Sequence, residues 1–344
     1  MSVQFSDLYE SAGAIIADAS KIVIIQADNP DGDSLGSALA LEHIIGDLGK
    51  DPELYCGVDI PPYLRYMNGW DRVTDELSSD IDAAIIVDTS TPTLLEKLAE
   101  NGYDKKLQAI PTLVLDHHRS VEEQIPYADV VINDPTKSST GELLFSIAGH
   151  HAWSINSEAA DHIMTAILGD TQGLSNDLAG PETYRIMAEL IDMGADRPSL
   201  EEKRRAFSKM PIIIYRYKAK LIEQTQLAVD DQLAYVVLSQ TEINQYSPLY
   251  NPAPLIQGDM LQISGVGVAI VIKQYDDGKL TGSVRANPAY PYAATIAAAL
   301  GGGGHQYAAG FKTRGKSSFE QVLSTIQNTL QQSIDNTVTA KDTL

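Results

Sequence analysis

The amino-acid sequence predicts an α/β protein with two domains: an N-terminal doubly wound parallel-sheet domain and a smaller C-terminal α/β domain, joined by a helical connector. Three observations support this prediction. Apolar strand-like runs alternate with helical patterns in the first half of the chain, a charged helical stretch follows, and short strand patterns with hairpin signals come after it. At 344 residues, the chain is also long enough to bury two cores.

Three apolar runs in the first half predict buried parallel strands: KIVIIQ from Lys21, DAAIIVD from Asp82 and TLVLD from Thr112. Helical patterns lie between them, SLGSALALEHIIGDLGK from Ser34 and TLLEKLAENG from Thr93. Further helices are predicted over 157–168 and 181–193. This alternation of strand and helix is typical of a doubly wound parallel sheet.

The second half of the chain predicts the other domain boundaries. Residues 196–231 are charged and largely helical in pattern, with prolines as interruptions, and predict the connector. From Gln232 onwards, runs such as LAYVVLS and GVGVAIVIKQYDDGKLTGSVRAN predict antiparallel strands, with a hairpin at Asp277-Gly278. A last helix is predicted over about 318–333. We therefore expect a first domain over 1–195, a connector over 196–231, a second domain over 232–335 and a frayed tail over 336–344.

Charge and cysteine content exclude several classes of function. The net charge of −21 leaves no broad basic face, so we expect no long duplex nucleic acid as a partner. The single cysteine, Cys56, excludes an internal disulfide and a cysteine-based zinc site. No apolar run reaches membrane-spanning length, and the N-terminal stretch MSVQFSDLYESAG lacks the pattern of a secretory signal. The sequence therefore predicts a cytoplasmic protein without a membrane partner.

Acidic residues follow each of the three predicted strands. They are Asp28, Asp31 and Asp33 after the first, Asp88 after the second, Asp116-His117-His118 at the third, and Asp170 after the later stretch HIMTAILGD. Because the carboxyl ends of parallel strands share one edge of a sheet, we expect these side chains to converge. Carboxylate and imidazole groups suit Mn²⁺ or Mg²⁺, which would neutralise the cluster. Alternatively, Asp33 or Ser34 only caps the next helix.

Four motifs in this order, NPDGDSLGS, VDTS, LDHH and LGDTQG, resemble those of the DHH phosphoesterase superfamily. GGGGHQYAAGF, from Gly301, resembles the glycine-rich signature of the DHHA1 domain. The layout resembles the oligoribonuclease (nanoRNase)/pAp phosphatase branch, so the two domains are expected to be a DHH catalytic domain and a DHHA1 substrate-binding domain. The resemblance implies two divalent metal ions, Mn²⁺ or alternatively Mg²⁺, and a family that often forms homodimers.

The same resemblance implies a role for each motif residue. The implied metal ligands are Asp31 for the first ion, Asp33, His117 and Asp170 for the second, and Asp88 bridging both. His118 would face the substrate phosphate, and Asp116 would orient the histidine pair. The two ions would activate a water molecule and stabilise charge on the phosphoryl oxygens.

One position departs from the family pattern. The family has a metal-ligating histidine three residues before the motif proline, and this chain has Ala27 there. Alanine cannot ligate a metal, so the first metal site is expected to be weak, filled only at high metal concentration, or rebuilt with Asp28. The alternative for Asp28 is a surface-loop acid without a functional role.

The second domain carries the expected substrate-binding residues. Gly301, Gly302, Gly303 and Gly304 would let backbone N–H groups approach a phosphate, although a glycine run is otherwise a flexible turn. The resemblance implies that Arg285 grips a phosphate or sugar, and we expect His305 to contact substrate. Basic residues in this region predict a small positive pocket: Lys273, Lys279, Arg285, Lys312, Arg314 and Lys316.

Together these features predict a metal-dependent phosphodiesterase that hydrolyses short oligoribonucleotides or linear dinucleotides (pApA or pGpG type) to mononucleotides. Two alternatives use the same site: a pAp phosphatase and a cyclic dinucleotide phosphodiesterase. A third alternative is a catalytically weakened nucleotide-binding homologue, because Ala27 removes a ligand.

Overall fold

The structure is a computed structural model that describes residues 3–118, 124–207, 209–313 and 318–341. The chain divides into two compact units between Lys209 and Met210, each with its own sheet. This division falls inside the stretch predicted as a connector, so that the first helix of the stretch belongs to the first unit and the second helix to the second unit.

The first unit is built on a parallel sheet with the strand order β2-β1-β3-β4-β5. Its strands are β1 (Lys21–Ile25), β2 (Asp51–Tyr55), β3 (Ala83–Val87), β4 (Thr112–Asp116) and β5 (Val130–Asn133). Its helices are α1 (Val3–Asp18), α2 (Gly32–Asp47), α3 (Glu96–Glu100), α4 (Asp104–Leu107), α5 (Thr140–His150), α6 (Ser157–Asp170), α7 (Pro181–Asp192) and α8 (Arg197–Phe207). The predicted doubly wound parallel sheet is confirmed.

The central strands are apolar along their whole length because both faces of the sheet are covered. Ile22 and Ile24 of β1 pack into the core on one face, and Val23 and Ile25 pack into the core on the other. Burying one such side chain fully stabilises a protein by about 1.5–3 kcal/mol. The buried sheet therefore holds in place the loops that leave its carboxyl edge.

Helix α6 packs closely against α2 and α5 because glycines line both contacts. A Cβ atom at Gly36 of α2 would lie 2.7 Å from the carbonyl oxygen of His162, and one at Gly141 of α5 would lie 2.5 Å from the Cβ of Ala166. Larger residues at these glycines would force α6 away. The close packing fixes the C-terminal end of α6, where Asp170 lies.

The second unit contains a mixed sheet with the strand order β10-β11-β9-β8-β7-β6. Its strands are β6 (Gln226–Ala228), β7 (Leu233–Leu238), β8 (Val268–Gln274), β9 (Leu280–Ala286), β10 (Gly303–His305) and β11 (Ala308–Lys312). Its helices are α9 (Ile212–Gln224), α10 (Gln240–Tyr246), α11 (Pro252–Met260), α12 (Ala293–Ala299) and α13 (Phe319–Lys341).

The predicted hairpin is present between β8 and β9, with Gly278 at a φ of 83°. The predicted antiparallel pairing is present between β8 and β9 and between β9 and β11. It is wrong for β7, which pairs parallel with β8 because α10 and α11 form a crossover between them.

The last helix is longer than predicted. α13 continues through residues 336–341, which the sequence analysis assigned to a frayed tail. The hydroxyl of Thr337 donates to the backbone carbonyl of Ser333 and lies 2.8 Å from the hydroxyl of Tyr292, which ties this turn to the rest of the unit. Neither α13 nor any other helix in the described ranges combines the length and apolar character needed to cross a membrane.

Candidate metal centre and substrate-binding residues

The predicted acidic residues lie at the carboxyl edge of the parallel sheet. β1, β3 and β4 are neighbours in the sheet, and Asp33, Asp88 and His117 follow their C-terminal ends. The strand order reverses between β1 and β3, and ligands of open α/β sheets bind at such a switch point. Asp170 joins them from the end of α6.

Four side chains converge on one point at this edge. His117 Nε2 lies 2.9 Å from Asp170 Oδ2, 3.4 Å from Asp33 Oδ2 and 3.7 Å from Asp88 Oδ1. Nε2 nevertheless makes no hydrogen bond within the described part of the chain, because its contacts are not aligned for one. Ligand atoms that each lie about 2.1 Å from one ion are about 3.0–3.5 Å apart when they are neighbours around it. Asp33, His117 and Asp170 therefore fit a single divalent cation, and Asp88 lies beside them.

Electrostatics also favours a cation between these groups. Burial and the neighbouring Asp33 raise the pKa of Asp88 well above its usual range, and burial and Asp170 raise the pKa of Asp33. For His117, burial acts to lower the pKa, but the carboxylates of Asp170 and Asp33 outweigh it and raise the pKa to about 9. A divalent cation would replace protons here and relieve the repulsion between carboxylates.

Asp33 is fixed by donors from two helices, and its side chain is fully buried. The backbone N–H of Thr140 donates to Oδ2 at 2.7 Å, and the N–H of Gly141 donates to Oδ1 at 3.0 Å. The hydroxyl of Ser37, one turn along α2, donates to Oδ1 at 3.0 Å. Asp33 thus accepts from the N-terminal end of α5, where a negative charge is stabilised. These supporting contacts were not predicted from the sequence, although Ser37 lies within the first motif.

Asp88 combines a ligand position with a strained backbone. Its φ is 62°, a left-handed conformation that is uncommon for a residue with a side chain. The hydroxyl of Thr140 donates to Asp88 Oδ1 at 3.1 Å, and the backbone N–H of Asp88 donates to the carbonyl of Leu115 at 2.8 Å. These contacts hold the carboxylate toward the cluster despite the strain.

Asp116, at the end of β4, orients the histidine pair. Its Oδ1 accepts the backbone N–H of His117 at 2.8 Å and Nδ1 of His118 at 2.7 Å, and its Oδ2 accepts the hydroxyl of Ser90 at 2.6 Å. Burial acts to raise the pKa of Asp116, but the hydrogen bonds from His118 and Ser90 lower it to about 2. The hydrogen bond to Asp116 raises the pKa of His118 in turn. The ionised carboxylate therefore favours a positively charged His118 ring. Ser90 was not among the predicted site residues.

Asp31 has a structural role in this arrangement. It is the N-cap of α2: its Oδ1 accepts the N–H groups of Asp33 and Ser34 at 3.0 and 3.1 Å, and Ser34 Oγ accepts the N–H of Asp31 at 2.9 Å. The cap is thus Asp31, where the sequence analysis considered Asp33 or Ser34. The described clusters at this edge with ligand atoms within 4.8 Å of one another do not include Asp31.

The residues around Ala27 do not supply the missing ligand. The Asp28 carboxylate accepts the backbone N–H of Lys97 at 2.8 Å, and the N–H of Asp28 donates to the carbonyl of Leu94 at 2.8 Å. Asp28 is therefore engaged at the start of α3. Gln26, the residue before Ala27, is fully buried, and neither polar atom of its amide has a partner among the described residues.

A second ion has no comparable donor set in the described part of the chain. Asp88, His117 and His118 form the other cluster at this edge, but Nδ1 of His118 is bonded to Asp116. This cluster shares His117 with the set of Asp33, His117 and Asp170, so the described residues provide one compact ligand set and a second that overlaps it.

In the second unit, three of the four predicted glycines have structural reasons to be glycine. A Cβ at Gly302 would lie 2.1 Å from the carbonyl oxygen of Gly310, and Gly301 and Gly304 have φ values of 75° and 135°. Gly303 alone of the four has a normal φ and open space around the position of a Cβ. The glycine run is therefore mainly explained by close packing and chain reversal.

Arg285 and His305 lie on one rung of the second sheet. Both pair with Ala308, Arg285 from β9 and His305 from β10. Arg285 is exposed, and its Nη1 donates to the carbonyl of Val284 at 3.1 Å. The side chain of His305 lies outside the described part of the structure.

The basic residues do not gather around Arg285. Lys273 and Lys312 both pair with Thr281, four residues from Arg285 along β9, which is about 13 Å in a strand. Nζ of Lys279 lies 4.0 Å from the ring centre of Tyr275. Residues 314 and 316 lie outside the described ranges. The expectation of one compact positive pocket is therefore wrong for the lysines that the structure describes.

A parallel sheet with carboxylates and a histidine gathered at its switch point has the residue types of a metal-dependent hydrolase site. Two protein-family models match this chain. The DHH family, N-terminal domain, matches residues 21–167, and the DHHA1 domain matches residues 252–332. The chain therefore belongs to the DHH family of phosphoester hydrolases.

Several relatives match most of the chain. An uncharacterized protein of Mycoplasma pneumoniae, the MG371 homolog, is 26% identical, and the match covers 88% of this chain and 89% of that protein. The bifunctional oligoribonuclease and PAP phosphatase NrnA of Thermus thermophilus is 24% identical, with 88% of each chain covered. The sequence is thus similar to the nanoRNase branch of the family.

Solved structures support the fold. An exopolyphosphatase-related protein from Bacteroides fragilis aligns with a TM-score of 0.82 at 22% identity, over 95% of this chain and 96% of that one. RecJ from Thermus thermophilus, solved with Mn²⁺, aligns with a TM-score of 0.54 at 14% identity, over 95% of this chain and 54% of that one.

Proposed function

We propose that this chain is a metal-dependent phosphodiesterase that hydrolyses short oligoribonucleotides or linear dinucleotides to mononucleotides. The observation that carries the proposal is the convergence of Asp33, Asp88, His117 and Asp170 beside a His118 held by Asp116. A divalent ion among the four groups, Mn²⁺ or Mg²⁺, would act as a Lewis acid toward the phosphoryl oxygens of the substrate.

The residues of the chain contribute orientation and charge. Asp116 keeps the His118 ring in one orientation and favours its positive form, which suits an anionic phosphoryl group. Thr140 and Ser37 keep the Asp33 carboxylate pointed at the cluster, so that the geometry exists before substrate arrives. Arg285 and the backbone at Gly303 are the proposed contacts of the second unit to the substrate.

A short substrate is favoured by charge. With a net charge of −21, the chain repels a long polyanion, whereas a dinucleotide needs only local compensation. The name of the Thermus thermophilus relative combines an oligoribonuclease with a PAP phosphatase. Release of phosphate from pAp at the same site is therefore the second candidate function.

The test is hydrolysis of pApA in Mn²⁺ by this chain and by Ala27→His. We expect turnover by the chain, faster in the variant because a ligand for a second ion is restored. An inactive chain with an active variant would identify a disabled phosphodiesterase. If neither protein cleaves pApA but both bind it, the enzyme assignment for this substrate fails, and the nucleotide-binding alternative replaces it. The same assay with pAp, measuring inorganic phosphate, tests the second candidate.

A further inference from the structure

A cavity of about 340 Å³ lies beside the candidate metal centre within the first unit. Its walls come from the loop after β1, the C-terminal end of α6 with its following turn, the segment around Tyr66, and α8. The side chains used in the argument below are Tyr66, Gln172, Arg197, Glu201 and Arg204. Ligand pockets start at about 300 Å³, so a mononucleotide-sized group fits by volume.

The cavity shares its backbone with the metal centre. Gly32, in its wall, lies between Asp31 and Asp33, and Gly169, also in its wall, directly precedes Asp170. The Cα atoms of consecutive residues are about 3.8 Å apart, so these wall residues are immediate neighbours of the metal ligands. A Cβ at Gly32 would lie 3.6 Å from the Cα of Gly169, which shows that the two segments touch. A group bound in the cavity therefore contacts the segments that carry the metal ligands.

The lining is locally basic in a strongly acidic chain. Its charged side chains are Arg197, Glu201 and Arg204, two basic and one acidic, in a chain whose net charge is −21. Glu201 accepts both Nε and Nη2 of Arg204, at 2.9 and 2.8 Å, and Nη1 of Arg197 lies 3.5 Å from it. Glu201 thereby orders the guanidinium groups without cancelling their combined charge.

The chemistry of the lining matches a nucleotide. Planar guanidinium groups recognise phosphate through paired hydrogen bonds, the half-buried ring of Tyr66 offers a stacking surface, and the amide of Gln172 supplies a donor and an acceptor. Leu168 and Leu200 complete the wall with apolar surface.

We infer that this cavity binds the nucleoside monophosphate unit that adjoins the bond to be cleaved, with Arg197 as a phosphate contact. The inference rests on the proposed phosphodiesterase function and names the part of the substrate that the cavity takes. It makes α8, together with the segment around Tyr66, a determinant of preference for nucleotide substrates over simple phosphodiesters.

The experiment compares Arg197→Gln with Arg205→Gln. Arg205 is the matched control, because it lies on the same helix and donates to Glu201 at 2.7 Å but does not line the cavity. Kinetics are measured on pApA and on bis(p-nitrophenyl) phosphate, a diester without a nucleoside. We expect Arg197→Gln to raise KM for pApA by about tenfold, the effect of losing a hydrogen bond to a charged group, and to raise KM for the aryl diester, which lacks the nucleoside and the terminal phosphate, by less. Arg205→Gln should leave KM for pApA unchanged.

A binding measurement separates this inference from the proposed function. 5′-AMP is titrated into each protein in EDTA by calorimetry, so that no metal draws the phosphate. We expect weaker binding to Arg197→Gln and unchanged binding to Arg205→Gln. Equal binding to all three proteins overturns the inference, as does weaker AMP binding with unchanged pApA kinetics, which would identify a separate nucleotide site. Failure of the unmodified chain to cleave pApA refutes the proposed function instead, whatever the AMP result.

Discussion

The hydroxyl of Ser90 lies 2.6 Å from Oδ2 of Asp116, and both groups are buried. This contact fixes the one carboxylate oxygen that the histidine pair does not use. Removing the hydroxyl leaves that oxygen without this donor and loosens the orientation of His118. We expect Ser90→Ala to lower kcat on pApA by roughly 10–100-fold, the usual effect of losing a group that orients a site residue.

Ser90→Thr is the control for this prediction, since it keeps the hydroxyl. Its kcat should stay near that of the unmodified chain. If Ser90→Ala and Ser90→Thr have equal kcat values and equal pH profiles, Ser90 does not position Asp116.

The number of tightly bound metal ions follows from the donor set around His117. One compact ligand set, Asp33, His117 and Asp170, is present with Asp88 beside it, and the position expected to complete a second set is Ala27. We expect Mn²⁺ titration followed by electron paramagnetic resonance to give one tight site per chain, and Ala27→His to add a second. Two tight sites in the unmodified chain would mean that a second ion is bound by groups other than those proposed here.

Asp28 is expected to stabilise the fold and not to bind metal. Its carboxylate accepts the N–H of Lys97 at the start of α3, an arrangement equivalent to a helix cap. Asp28→Ala should lower the free energy of unfolding by about 1 kcal/mol, the typical cost of a lost cap. Mn²⁺ affinity should not change. Lower affinity with normal stability would instead support a metal site rebuilt with Asp28.

Gly302 and Gly303 make a matched pair that separates packing from substrate binding. Gly302→Ala would place a Cβ 2.1 Å from the carbonyl of Gly310, so we expect a loss of about 1–3 kcal/mol in the stability of the second unit. Gly303→Ala meets no atom within 4 Å and should fold normally. If the backbone there contacts a phosphate, Gly303→Ala raises KM for pApA. Calorimetric unfolding and KM, measured for both variants, test this, and an unchanged melting temperature for Gly302→Ala would contradict it.

His162 predicts a pH dependence of stability. It is 4% exposed, its Nε2 has no partner among the described residues, and burial lowers its pKa to about 3. The unfolded chain, with a histidine pKa near 6.5, therefore binds the extra proton between about pH 6.5 and 3. Stability is fully present above that window and falls with decreasing pH inside it, by at most about 1.4 kcal/mol per pH unit.

His162→Gln should flatten this part of the pH dependence. Urea unfolding in EDTA at pH 7, 6 and 5 can be followed by tryptophan fluorescence, because Trp70 and Trp153 both lie in the first unit. The difference in unfolding free energy between variant and unmodified chain should change with pH. Parallel curves for the two proteins would show that His162 does not titrate in this range.

The sequence predicted the parts of the fold in which one physical signal dominates. The strands β1, β3 and β4 are buried on both faces, and such strands need apolar residues at successive positions, which the sequence shows directly. β2 was not predicted because its sequence DPELY contains acidic residues and a proline, which are tolerated at the edge of the sheet. The parallel pairing of β7 with β8 was missed because strand direction depends on the connecting helices, not on the strand residues.

The sequence predicted which residue types gather at one edge of the sheet to form the candidate site. It did not predict which role each residue has there. Asp31 and Asp33 are two residues apart, yet Asp31 caps a helix while Asp33 faces His117. The backbone contacts that make this difference come from Thr140 and Gly141, more than a hundred residues away in the sequence. Such contacts leave no local pattern. The metal-ligand assignments and the domain boundaries stay predictions.

The glycines in the contacts of α6 with α2 and α5 affect how loss-of-function variants should be interpreted. Neither Gly36 nor Gly141 can ligate a metal, and Gly141 contacts Asp33 only through its backbone N–H, but both set how far α6 stands from α2 and α5. A bulkier residue at either position would shift the whole helix and carry Asp170 with it. Such a protein would retain every chemical group of the centre and still be inactive. Inactivity caused by substitution at these glycines is therefore a defect of alignment and does not identify a substrate contact.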